Sequence, residues 1–82
     1  MEKSIHTREY AVVLRLLKQA REAAGLTQVQ VAKRLKQSQS FVTKMERGDR
    51  RIDVVQLRTI CHLYGTTLHQ FVAQLEAELA EE

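Results

Sequence analysis

The sequence contains no proline and no tryptophan, and it has only three glycines, one cysteine, two tyrosines and two phenylalanines. Without proline, no position removes a backbone donor or forces a kink, so nothing in the chain forbids long runs of helix. A single cysteine, Cys61, cannot close an internal disulfide. It lies within an apolar helical pattern, so the expectation is a buried, unreactive thiol and a fold that depends on its packed core. With so few rings and a hydrophobic content of 44%, that core must be mainly aliphatic. Long hydrophobic runs are also missing. The longest uncharged apolar stretch, Tyr10 to Leu14, falls far short of the roughly 20 residues that span a bilayer. The start lacks the apolar region of a signal peptide, so a cytoplasmic chain with no membrane partner is expected.

The three glycines are isolated, which excludes glycine-rich phosphate loops. His6, His62 and His69 are too scattered for a metal site, and Cys61 beside His62 faces a different side of its helix. No serine has a histidine and a carboxylate at a recognisable spacing. Eighty-two residues suffice for one small domain, with little room for a concave catalytic pocket. The expectation is a single domain over residues 1–82, without cofactor, metal or enzymatic activity.

What is present is helical periodicity with punctuation. Residues 1–6 have no period and read as a tail, from which Ile5 can fold back on the core. Thr7 reads as a cap, and from Arg8 the apolar positions Tyr10, Val13, Leu14, Leu17, Ala20 and Ala24 follow helical spacing until Gly25. This predicts a first helix of about 17 residues. Thr27 with Gln30, Asp53 with Gln56 and Thr67 with Gln70 have capping-box spacing, and Ser38 offers a further cap. Behind these caps run four apolar faces: Val31, Ala32 and Leu35; Phe41, Val42 and Met45; Leu57, Ile60, Cys61 and Tyr64; and Leu68, Phe71, Val72, Leu75 and Leu79. Gly48 and Gly65 supply stops, and Ile52 anchors the loop after Gly48. Five helices with short connections result, the last over about 67–80.

The stretch Thr27 to Gly48, TQVQVAKRLKQSQSFVTKMERG, organises the rest. Two capped helices, each too short to be stable alone, must pack on each other and on their neighbours. The stretch resembles the helix-turn-helix of the Cro and phage-repressor type, also called XRE-like. The resemblance is carried by Thr27, Gln28, Ala32, Leu35, Ser38, Glu46 and Gly48, with Val31, Val42 and Thr43 as milder changes. It implies an all-α, compact five-helix bundle of the lambda-repressor-like DNA-binding type, whose helix-turn-helix is formed by the second and third helices. The chain departs from the family in the turn, where Lys36 and Gln37 replace the usual Gly-Val. The left-handed position then falls on Lys36 or Gln37, or the turn takes another geometry.

Charge is distributed unevenly. Lys33 to Arg51 holds seven basic residues against two acidic ones, whereas Thr66 to Glu82 holds four acidic residues and no basic one. A basic excess coinciding with the helix-turn-helix suits a phosphate-facing surface. The resemblance implies a sequence-specific regulator of double-stranded DNA, acting as a repressor on a palindromic operator, with base edges read by Gln39, Ser40, Thr43 and Lys44. Glutamine can pair with adenine, and lysine can donate to guanine. Phosphates are assigned to Thr27, Gln28, Ser38, Arg47, Arg50 and Arg51, with Gln28 helped by the helix dipole. Arg21 and Glu46 are expected to form a structural pair between the first and third helices. Leu68, Phe71, Val72, Leu75 and Leu79, joined by Val54 and Val55, are expected to form a homodimer contact. The rival reading is an antitoxin-like or adaptor protein-interaction module on the same fold, because fold alone does not fix function.

Overall fold

The computed structural model describes residues 7–81, so the expected tail with Ile5 and His6 lies outside the described residues. Among these residues the elements are α1 (Arg8–Ala23), α2 (Gln28–Leu35), α3 (Gln39–Arg47), α4 (Val54–Leu63) and α5 (Leu68–Ala80), with no strand.

Each helix starts where a side-chain oxygen satisfies an otherwise unpaired amide. Thr7, Thr27, Ser38, Asp53 and Thr67 accept from the amides of Tyr10, Gln30, Phe41, Gln56 and Gln70. At Thr27, Asp53 and Thr67 the glutamine three residues on reaches back to the cap's own amide, completing the capping box.

The helices α1 to α4 stop by one shared device. An amide beyond the end bonds to the carbonyl five residues earlier: Leu26 to Arg21, Gln37 to Ala32, Asp49 to Lys44 and Thr66 to Cys61. The bond requires a left-handed residue just before that amide. Glycine fills this place in three cases, and Lys36 fills it in the fourth, at φ 58° and ψ 42°. The turn therefore keeps the ordinary geometry, with the left-handed position on Lys36. The cost is the contact of its Cβ with the backbone, about 1–2 kcal/mol.

The core forms where the helices converge. Val31 and Ala32 of α2, Phe41, Val42 and Met45 of α3, Ile60 and Cys61 of α4, and Phe71 of α5 are buried together with Tyr64. Helix α1 contributes Val12, Leu16 and Leu17. Its inward face is thus rotated from the expected stripe: Val12 and Leu16 join Leu17 inside, while Ala24 is exposed. Ile52 and Leu57 pack against the same core. Contacts between α2 and α3, α1 and α3, α1 and α5, and α4 and α5 hold the bundle, leaving one flank of α3 outside it.

The expected dimer stripe on α5 needs correction. Phe71 is 2% exposed and belongs to the core, and Leu75 and Leu79 are half-buried against it. Leu68 is also half-buried, so Val72 is the exposed residue of the five. The terminal helix spends most of its apolar face on its own domain. Among the described residues the most exposed large apolar side chains are Val54 and Val55, 63% and 70% exposed at the start of α4.

Candidate nucleic-acid interface

Helix α3 is two-sided because its apolar residues recur at helical spacing. Phe41, Val42 and Met45 point inward, and Gln39, Ser40 and Lys44 are exposed. Thr43 is half-buried at the margin. The expected base-reading residues therefore share the outward side, with Thr43 set closest to the protein.

Beneath this face lies a chain of polar contacts. Glu46 accepts from Arg21 through Nε at 2.6 Å and Nη2 at 3.2 Å, and Arg21 also donates to the Leu26 carbonyl at 2.8 Å. The two side chains are 11% and 5% exposed. This pair ties α1 to α3 and holds the turn before α2 in the same grip. The hydrogen bond with Glu46 and that carboxylate's charge push the Arg21 guanidinium above its already high ordinary value, overcoming the opposite effect of burial. Gln28, the first residue of α2, donates from Nε2 to Glu46 Oε1 at 2.9 Å, and its Oε1 accepts from the Thr43 hydroxyl at 2.7 Å. Gln28, expected to hold a phosphate, thus also links two site residues, and one Nε2 hydrogen remains beyond this link. No local sequence signal marks the contact, since Gln28 and Thr43 sit on different helices.

Tyr64 packs near the same pair. Burial first, and the charge of Glu46 second, push its hydroxyl up to about 12. Burial likewise raises the Cys61 thiol, which is fully enclosed.

The expected phosphate ligands occupy three settings. Arg47 pairs with Asp49 at 2.6 Å on the exposed surface. Arg50 stacks over the Phe41 ring of α3 at 4.5 Å, and Arg51 over the Tyr10 ring of α1 at 5.3 Å, so that α3 holds the first guanidinium group and α1 the second. Gln37, Ser38, Ser40, Phe41, Lys44 and Arg50 line an open polar hollow at the start of α3. The structure thereby brings Lys44, expected to read a base, and Arg50, expected to hold a phosphate, to one place. Thr27 and Ser38 are exposed at the starts of α2 and α3, their hydroxyls engaged as caps. Among the described residues no cluster of histidine, cysteine or carboxylate side chains is arranged to hold a metal ion, and no helix is long and apolar enough to cross a membrane.

A helix-turn-helix domain profile matches residues 13–74, which include both helices of the site. A solved structure described as an XRE-family like protein from Pseudomonas syringae pv. tomato is 43% identical, covers 92% of each chain and superposes with a TM-score of 0.83. The chain belongs to the XRE-like helix-turn-helix family. No curated protein matches the chain. The family is of the DNA-binding regulator type and is not typically enzymatic, and its helix-turn-helix implies double-stranded DNA as the ligand class. In this XRE-like protein the helix-turn-helix is α2, the Lys36 turn and α3.

Proposed function

We propose that this XRE-like protein recognises a specific double-stranded DNA sequence and represses transcription by occupying it. Helix α3 enters the major groove, with Gln39, Ser40, Thr43 and Lys44 toward base edges. Thr27, Gln28, Ser38, Arg47, Arg50 and Arg51 hold the flanking phosphates and set the register. The observation that carries this reading is the polar outer side of α3 within a segment of seven basic and two acidic residues. A core helix does not need such a side, and a solvated one does not need that excess of positive charge. The acidic end of the chain, from Thr66 to Glu82, lies outside this segment.

The same proposal includes a homodimer on a palindromic operator. Two copies place two recognition helices about one turn apart, roughly 34 Å, which fits two half-sites. The exposed Val54, Val55 and Val72 support a contact between copies, with Leu68, Leu75 and Leu79 at its margin. Phe71 supports it from the core.

The test is titration of the wild type and Gln39→Ala on a duplex selected from genomic fragments and on a scrambled one. Gln39 is exposed, so its loss should leave the melting curve within about 0.5 kcal/mol of wild type. Binding to the selected duplex should weaken by about 1–3 kcal/mol, with discrimination relaxed at one base pair. Unchanged discrimination would remove α3 from the role of reader.

A further inference from the structure

The polar chain beneath α3 fixes more than the position of Thr43. It fixes which half of its hydrogen-bonding capacity is left for DNA. The Glu46 carboxylate, gripped by Arg21, can only accept, so the Gln28 amide must turn its NH2 toward Glu46. Its carbonyl oxygen then faces Thr43 at 2.7 Å. A carbonyl also only accepts, so the Thr43 hydroxyl must be the donor. From Arg21 on one side, and from Thr43 through Gln28 on the other, every hydrogen points toward one carboxylate. The direction is imposed by charge and leaves the hydroxyl no choice.

We infer that Thr43 meets DNA as a hydrogen-bond acceptor only, and therefore selects an amino base, adenine or cytosine, on the strand it faces. This rests on the reading of α3 as the recognition helix. A free threonine hydroxyl is an ambiguous reader, able to donate to guanine O6 or N7 or thymine O4 and to accept from adenine N6 or cytosine N4. Here the proton is spent on Gln28, and the lone pairs remain. Gln28 and Glu46 thus act on specificity through Thr43 as positioning residues, and Arg21 supports them through its two bonds to Glu46.

The experiment selects sites from randomised duplexes with the full chain, then measures competition at each position. In wild type, the position that Thr43 faces should prefer a base pair over its strand-reversed form by about 2- to 10-fold, the range for one neutral hydrogen bond, and that preference should depend on the adenine or cytosine amino group of the pair. Thr43→Val keeps the shape and removes the acceptor, so it should erase the preference at that position alone. Gln28→Met removes the link and frees the hydroxyl proton, so guanine and thymine should become acceptable there while preferences elsewhere persist. A probe on the DNA side does not depend on any variant folding. Purine in place of adenine, or pyrimidin-2-one in place of cytosine, removes the amino group. Wild type should lose the same factor on that duplex as Thr43→Val loses on the natural one, and Thr43→Val should lose nothing further. The inference is overturned if, at the position that Thr43→Val relaxes, wild type is indifferent to removal of the amino group, or if Gln28→Met keeps the full dependence on that group. Selection of no sequence at all would overturn the reading of α3 as well, which distinguishes the two failures.

Discussion

Removing Glu46 strands a charge inside the protein. Arg21 is 11% exposed and makes two of its three hydrogen bonds to Glu46, and the remaining bond to the Leu26 carbonyl does not neutralise it. Loss of one member of a buried pair costs about 3–5 kcal/mol. The retained carbonyl bond and the residual exposure place Glu46→Ala toward the lower end, near 3 kcal/mol. A domain of this size has a total stability of about 4–12 kcal/mol, so the variant should be poorly folded at elevated temperature. At about 4–8 °C per kcal/mol, the midpoint should drop by about 12–24 °C. The double variant Arg21→Met with Glu46→Leu removes both charges and fills similar volume, and it should recover most of the loss. Urea unfolding and thermal melts followed by circular dichroism measure Glu46→Ala and the four members of the cycle formed by wild type, Arg21→Met, Glu46→Leu and the double variant. The argument fails if Glu46→Ala unfolds within about 0.5 kcal/mol of wild type, or if the double variant is as unstable as the sum of the two single changes.

Other consequences follow from single positions. Lys36→Gly relieves the left-handed strain at φ 58° but adds freedom to the unfolded chain, so a net gain of about 0.5–1 kcal/mol is expected in urea unfolding; a loss would show that the turn carries no strain. The Tyr64 hydroxyl is buried with no hydrogen-bond partner among the described residues, so Tyr64→Phe should be neutral or stabilising by up to about 1 kcal/mol at pH 7. Its folded value of about 12 lies above the ordinary one, so the stability of the wild type should be unaffected by this group below about pH 10 and fall by about 2–3 kcal/mol as pH rises through 12. Tyr64→Phe should not share that loss, which unfolding at pH 8 and pH 11.5 compares directly. Sedimentation should show a dimer at high micromolar concentration that Val55→Glu weakens, whereas a monomer in wild type would exclude a preformed dimer.

The parts of the fold legible in the sequence are the local ones. Capping at Thr27, Asp53 and Thr67 needs only a partner three residues away, and the glycine stops need only one residue with the right backbone freedom. The inward face of α1 was legible only in part: Leu17 lies in the core and Val13 and Ala20 pack against it as expected, but the apolar run at Tyr10–Leu14 followed by Leu16 and Leu17 supports two overlapping stripes. Packing against α3 and α5 chose the one through Val12 and Leu16. Phe71 illustrates a related limit. A helical stripe shows which residues share a face, but how much of that face the domain itself covers depends on three-dimensional packing. The outward set Gln39, Ser40 and Lys44 was readable from motif and period together. The link from Thr43 to Gln28 was not, since it joins two polar residues fifteen positions apart on different helices, a contact that only the packing of α2 against α3 creates.

The central claim is that α3 and its basic surroundings bind DNA by sequence. Its most direct test is titration of the wild-type protein on the selected and the scrambled duplex from about 50 to about 200 mM salt. A dimer whose protomers each neutralise about three to five phosphates should give a log-log slope of roughly −5 to −9 on the selected duplex. That duplex should also be preferred over the scrambled one by at least about a thousandfold. A slope near zero, or equal affinity for both duplexes, would contradict the claim and leave an interaction module on the same fold as the better account.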